Sequence, residues 1–550
     1  MTRRVLLVGA TGTFGSRLAA MLSRHTQIEL ILAARRVDAL QSLRASLLKS
    51  GAAARILVQP FDRSRPEGLI ETSPWLVVDA AGPFQGSDYR LALAAVRQGA
   101  HYIDLADARD YVAGFADALD EAARRAGVLA VTAASTIPAL SHAVLAELVK
   151  DWRQIDDVMV ALSPGARTTR GPSIVKALLS YVGRPVRVLR VGGWTTVPGW
   201  SGLRAIHIPG LGKRLVSICE TPDLDLLPMR FPIRREALFM AGHEIMPVHL
   251  GLTLLSLPVR WGIVRSLRRF AGLLHTAADA TAGFGSDRGG MIVEASGRDD
   301  MDRPFRARWA LWAQAGAGPN VPAAPAAALV RSLLLGKETR RGAMVCAGIL
   351  ERGDILHELA ELPIHTRLDQ GLPESTVLFE RLLGEKWMLL PSSVRAVHGG
   401  GHITASGHAI ARIGENMAAR LLRLVLGLPR TGKHEVEVVL EQDHRGERWT
   451  RRFGSAQFSS NLTDAGALGL FEERFGLLRF IFDLEPASGG VDWQFCGWKF
   501  AGLPLPKRFG PHIRAGAWEV DGCYRFRVIV AHPWTGLLFA YRGGLPDILS

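Results

Sequence analysis

Val5-Leu6-Leu7-Val8-Gly9-Ala10-Thr11-Gly12-Thr13-Phe14-Gly15 carries an unbroken apolar run straight into three spaced glycines. A run without polar alternation predicts a strand buried on both faces, as in a parallel sheet. Glycines at its end let backbone N–H groups and a helix N-terminus approach a pyrophosphate that a Cβ would hold away. The helical pattern that follows, with Leu18, Ala19, Met21 and Leu22 on one face, supplies that N-terminus. A second apolar strand, Leu30 to Ala34, ends in Arg35 and Arg36. An acidic residue there takes a ribose 2′-hydroxyl, whereas arginine pairs with a 2′-phosphate, so the expected cofactor is NADP, with NADPH preferred over NADH.

Outward from this opening, strand and helix alternate through the first 135 residues. Strands are predicted at 4–8, 30–34, 55–59, 75–80, 101–105 and 128–132. Short connections and alanine- and leucine-rich helices make this an α/β fold, a doubly wound parallel sheet of Rossmann type. The fourth strand ends in Ala81-Gly82-Pro83-Phe84, a small-residue turn that lets a nicotinamide ribose lie close to the backbone. Asp62 follows the third strand, where an adenine rim could be contacted. The cofactor set is therefore Gly9, Thr11, Gly12, Thr13, Phe14, Gly15, Arg35, Arg36, Asp62, Ala81, Gly82, Pro83 and Phe84. The plainer alternative is an ordinary glycine loop beside solvated arginines.

At 550 residues the chain predicts two or three domains. Residues 136–361 read as an α+β substrate domain, with a hairpin formed by 291–295 and 305–312. Residues 362–375, polar and carrying Pro363, Gly371 and Pro373, read as a linker. Residues 376–550 show period-two alternation and the turn Asp521-Gly522, and read as a mostly antiparallel β domain.

Sixty-six Lys plus Arg against 52 Asp plus Glu give a net charge of +14. No helix-turn-helix, RNP or zinc-finger pattern accompanies the excess, so it reads as a diffuse basic surface and nucleic acid is not an expected partner. Cys219, Cys346, Cys496 and Cys523 form no CxxC pair, which predicts free thiols in a reducing compartment and no metal site. The first apolar run is a strand, leaving no room for a signal peptide. The longest apolar stretch, 247–264, is broken by Pro258 and Arg260 and followed by Arg265, Arg268 and Arg269. It reads equally as a buried helical pair over a substrate pocket or as an interfacial helix on anionic lipid. The expected location is cytoplasmic, with peripheral membrane association as its alternative.

Chemistry is harder to read. None of the six tyrosines has a lysine four positions on, and no HExxH or GxSxG occurs. Proton-transfer candidates come from the C-terminal edge of the sheet: Tyr102 and Asp104 at the end of the fifth strand, and His142 after the sixth. The alternative reads Asp104 as a helix cap and Tyr102 as packing. In the third domain Arg395, His398, His402 and His408 flank Gly399-Gly400-Gly401, as an anion site or as a glycine loop with surface histidines. Trp493, Phe495, Trp498 and Phe500 read as core or as a lipid-lined cup.

Together Gly9 to Gly15, Ala80-Ala81-Gly82-Pro83-Phe84, Gly99-Ala100-His101-Tyr102-Ile103-Asp104-Leu105 and Gly289-Gly290-Met291 resemble the saccharopine dehydrogenase-like family over about the first 360 residues. The resemblance implies an NAD(P)-binding domain, an α+β substrate and dimerisation domain, and hydride transfer to a C=C, C=N or C=O bond of a small-molecule substrate. The amino-acid recognition pattern of the saccharopine enzymes is not found, and the 247–264 stretch points toward a lipidic substrate. The last third is similar to an uncharacterised domain fused behind this module. A second reading is a non-catalytic nucleotide sensor or scaffold whose β domain binds a lipid or protein partner.

Overall fold

The computed structural model describes residues 2–168, 172–371, 377–443, 446–465, 470–487, 489–500 and 502–549. It divides into two compact units, Met1–Leu372 and Pro373–Ser550.

The first unit contains two sheets. Arg3–Val8 is an interior strand of a parallel sheet ordered 342–345, 129–132, 101–104, 76–79, 3–8, 28–34, 55–60. Val5 and Leu7 enter one apolar core while Leu6 and Val8 enter another across the sheet. That two-sided burial is why the strand reads as a continuous apolar run. Each such side chain contributes roughly 1.5–3 kcal/mol relative to exposure. Strand order reverses between Arg3–Val8 and Leu76–Asp79, and the crevice beyond such a switch point is where open α/β sheets bind ligands.

The second sheet runs 204–208, 212–218, 233–241, 154–163, 289–298, 304–313, 364–371, with a hairpin 185–190/193–198 paired to 233–241. It is mixed: 233–241 pairs parallel with 154–163, and the other neighbours are antiparallel. Two expectations change here. Residues 342–345, placed by sequence in the second domain, form the seventh strand of the first sheet. Of the expected linker, Ile364–Gly371 is an edge strand, and 372–376 lie outside the described residues. Its side chains are almost all exposed, so an edge strand shows none of the alternation that marks a half-buried one. The stretch 247–264 becomes one helix, Met246–Arg260, half-buried through His249, Ser256 and Val259.

The second unit is a closed antiparallel barrel of ten strands: 402–413, 432–443, 446–453, 456–464, 470–475, 478–487, 490–500, 512–520, 523–532 and 536–549. Pairing of 478–487 with 490–500 completes the ring, and Leu503–Leu505 adds an outer strand. Inward positions such as Val436, Val438, Phe453, Phe482 and Phe526 are apolar, while Arg448, Arg452, Arg514, Arg525 and Arg527 are exposed. The histidine cluster does not form. His398 is buried against Phe379, with ring centroids 3.6 Å apart, whereas His402 and His408 are exposed. The helix Ser392–His398 turns His398 into the core because Val394 and Val397 share its buried face. Among the described residues no helix is long and apolar enough to cross a membrane, and no group of metal-ligating side chains gathers.

Candidate active site at the switch point

Gly9 leaves the first strand at φ +76°, a conformation that an L side chain rarely adopts. A Cβ there would lie 2.8 Å from the backbone N and Cα of Ala81, so the turn after the first strand rests directly on the turn after the fourth. A Cβ on Gly15 would collide with the carbonyl oxygen of Gly9, so this glycine lets the helix Thr13–Leu22 close on the loop. Gly12 precedes that helix with no side-chain cap, and its first turn holds no acidic residue. The positive helix end is thus unopposed, and a cradle that a Cβ would fill fits a pyrophosphate.

Arg35 and Arg36 are exposed at the end of Ile28–Ala34, and neither guanidinium makes a hydrogen bond or ion pair among the described residues. Asp62 is held by the backbone N–H and hydroxyl of Ser64, at 2.9 and 2.8 Å, which lower its pKa, with Arg35 adding to the effect. Thr11, Thr13 and Phe14 are half-buried along the loop and first helical turn.

The turn Ala81–Phe84 is held from below. The backbone N–H of Ala81 donates to Asp79 Oδ1 at 3.0 Å, and Arg63 Nε donates to Asp79 Oδ2 at 2.6 Å. Burial pushes the Asp79 carboxyl up, and the Arg63 charge opposes that shift. Arg63 also reaches Ser87, whose hydroxyl donates to Pro83 O at 3.1 Å. The Gly82–Pro83 bond is cis. The Phe84 ring turns into the core against Tyr111 and beneath Arg63, so only its backbone can face a cofactor.

The three proton-transfer candidates do not converge on open space, for all are fully buried. Tyr102 donates to Asp79 Oδ2 at 3.3 Å and stacks on Phe115, which makes it a support for the turn. Asp104 Oδ1 accepts from Thr132 Oγ1 and Ala133 N at 2.8 Å and from Ala106 N at 3.0 Å, tying together the loops after the fifth and sixth strands. Burial pushes its carboxyl up to about 7. His142 Nε2 lies 3.3 Å from Asp223 Oδ1, yet neither side chain completes a hydrogen bond.

Sequence reasoning missed a second group around this crevice. Gln85 Nε2 donates to Asp107 Oδ1 at 3.2 Å; Asp107 keeps solvent contact inside a recess whose walls raise its pKa. Tyr181 Oη, at the end of the helix Pro172–Tyr181, meets Cys219 Sγ, just past the strand 212–218, at 2.7 Å, and Asp107 is close enough to act electrostatically on both. Burial pushes the Cys219 thiol up to about 12, so it stays protonated. Arg109 forks Asp225, fastening the segment 219–225 to the first sheet. Gln85 Oε1, Tyr111 Oη, Thr221 Oγ1 and the His142–Asp223 pair are buried without hydrogen-bond partners. Orphaned polar groups at a switch point are what a substrate would satisfy. Gln85 and Asp107 were within reach of sequence reasoning, since they sit on the loops after the fourth and fifth strands. Tyr181, Cys219 and Asp223 join them only through tertiary structure.

Residues 5–150 match the family model described as saccharopine dehydrogenase NADP binding domain, and residues 390–545 match a domain of unknown function, DUF4166. No curated protein sequence matches the chain. Similar solved structures include apo saccharopine dehydrogenase (L-Glu forming) from Saccharomyces cerevisiae, 13% identical, covering 67% of this chain and 100% of that one, with TM-score 0.49. Amine dehydrogenase from Mycobacterium smegmatis is 14% identical over 63% of this chain and 95% of its own, with TM-score 0.36. DAP dehydrogenase from C. glutamicum, in complex with DAP, is 13% identical over 66% and 99%, with TM-score 0.36. The turn that seats Gly9 on Ala81 lies within the first matched segment, and the second unit contains the second: the chain joins a saccharopine dehydrogenase-like NAD(P)-binding domain to a DUF4166 domain.

Proposed function

We infer that the protein is an NADPH-dependent reductase acting on a C=C, C=N or C=O bond held between the first two sheets. The observation that carries this reading is the contact of Gly9 with Ala81, which aligns a pyrophosphate cradle with the small-residue turn beside it. Gly9, Gly12 and Gly15 seat the pyrophosphate, with Thr11, Thr13 and Phe14 along its path. Arg35 and Arg36, exposed and unengaged, take the 2′-phosphate; Asp62 borders the adenine. Ala81, Gly82, Pro83 and the Phe84 backbone border the nicotinamide. When bound, the reduced nicotinamide supplies a hydride. The substrate must then gain one proton at the atom next to the one reduced. Asp107, solvated and raised by its surroundings, is the group best able to hold that proton, with Tyr181 and Cys219 behind it. Tyr102 and Asp104 act as positioning residues, and His142 with Asp223 lies at the back of the recess.

Leu254, Trp261 and Ile263 are exposed beside Arg265, Arg268 and Arg269, which supports a lipidic substrate and contact with an anionic membrane surface. The full burial of Tyr102, Asp104 and His142 favours the second reading, a nucleotide sensor without turnover. Titration with NADPH and NADH in parallel, then absorbance at the reduced-nicotinamide band with enoyl, imine and aldehyde substrates, separates the two. Changing Arg35 to Asp and Arg36 to Ala together should weaken NADPH at least about ten-fold more than NADH. Equal losses would overturn the 2′-phosphate assignment, and binding without substrate-dependent oxidation would favour the sensor.

A further inference from the structure

The barrel holds a lumen that opens at a mouth. Eight strands already suffice to be filled by their own side chains, so ten leave a lumen. Its wall is aromatic and aliphatic; among the described residues, Arg451 and Glu473 are the only charged ones lining it. A mainly apolar lining of this kind favours apolar ligands.

The two ends differ. One is plugged by the stack of Phe379, His398, Trp449 and Tyr524. The other is covered by the helix Met417–Leu426, whose Leu422 and Leu426 line the cavity. Met417, Leu421 and Leu424 on the same helix are exposed, so the covering element is apolar on both faces. Asn416 pins the start of the helix by donating to Thr535 O and Leu537 O at 2.7 and 2.9 Å.

Polarity inside is compensated. Arg451 donates to Ser460 Oγ at 2.9 Å and to Glu473 Oε1 at 3.3 Å, and Ser460 donates to Glu473 Oε1 at 2.7 Å. A carboxylate headgroup would add a charge that this balanced pair cannot neutralise. By contrast, Trp493 lines the cavity with its indole N–H buried and unpartnered, a donor awaiting a neutral acceptor. We propose that the barrel binds an uncharged long-chain lipid bearing a carbonyl or hydroxyl oxygen, admitted beneath the helix Met417–Leu426.

The test is fluorescence titration of the full chain with the neutral probe diphenylhexatriene, followed by displacement. Hexadecanol and methyl palmitate should displace it at one site per chain, and palmitate about ten-fold less well at mildly alkaline pH. Glu473→Gln leaves Arg451 uncompensated and should raise palmitate affinity at least about ten-fold. Ala517→Trp, which fills the lumen, should abolish probe binding while NADPH affinity and the dichroism spectrum stay unchanged; Val528→Phe serves if that variant misfolds. No saturable binding, or binding that survives in a folded lumen-filled variant, would overturn the site. Palmitate binding as tightly as hexadecanol, with no response to Glu473→Gln, would overturn the headgroup assignment.

Discussion

The parallel sheet and the barrel each carry a buried arginine–carboxylate pair, and they use it differently. Arg63 and Asp79 lie beneath the turn Ala81–Phe84 and hold backbone in place. Arg451 and Glu473 stand in the wall of a lumen and set its charge balance. In the sheet, the proposed ligand cradle is backbone, shaped by glycines close together in sequence. In the barrel it is side chains, one or two from each strand. A backbone cradle can be broken by a single Cβ; a side-chain lumen must be filled or recharged.

The sharpest expected effect on ligand binding follows from that contrast. Gly15→Val places a branched side chain against the Gly9 carbonyl and should cost NADPH at least about 100-fold, ~2.7 kcal/mol, with diphenylhexatriene binding to the barrel unchanged. Calorimetry with both ligands reads the two sites in one sample, and loss of both would contradict their independence. Removing one arginine comes next. Arg451→Met strands the Glu473 carboxylate and should cost about 3–5 kcal/mol, seen as a lowered thermal transition of the barrel unit. Arg63→Met strands the fully buried Asp79 carboxylate in the same way and should lower the thermal transition of the first unit by a comparable amount. Calorimetric scans that showed Arg451→Met to be silent would mean the pair is not buried in solution.

Asp104 gives a pH-dependent contrast inside the first unit. Its folded carboxyl holds a proton up to about 7, against 3.8 for the ordinary group. Between those values the folded state binds more protons than the unfolded one, so this group's contribution falls as pH rises, by up to ~4 kcal/mol, and is constant above. Buried His101 and His249, held down to about 4, slope the other way: their contribution is lost as pH falls from 6.5. The difference between wild type and Asp104→Asn isolates the carboxyl. Chemical denaturation at pH 4.5 and 7.5 should therefore show the variant gaining relative to wild type as pH rises; a constant difference would sink the assignment. The smallest effect is at the barrel cover: Asn416→Ala removes the cap on Ala419 N and should cost about 1 kcal/mol while speeding probe release in stopped flow.

These contrasts also explain what the sequence disclosed. Six of the seven strands of the first sheet were legible because burial writes them as apolar runs, and the glycine turn because its geometry is local. The edge strand Ile364–Gly371 was not, since exposure erases alternation. In the barrel, Gly536–Leu549 hides behind Gly543, Gly544 and Pro546, although it pairs with two neighbours over most of its length. Gly543 is required there because a Cβ would meet the carbonyl oxygen of His408 on the adjacent strand. Asp107 and Gln85 could have been found from their loops, whereas the Tyr181–Cys219 and His142–Asp223 pairs join segments 38 and 81 positions apart, a proximity that only the fold creates.

The account rests most heavily on the cradle at Gly9 and the arginines beyond it. Calorimetric titration of the intact protein with NADPH and NADH tests both. The account predicts one NADPH per chain, bound more tightly than NADH. No heat for either nucleotide, or equal affinity for the two, would contradict it.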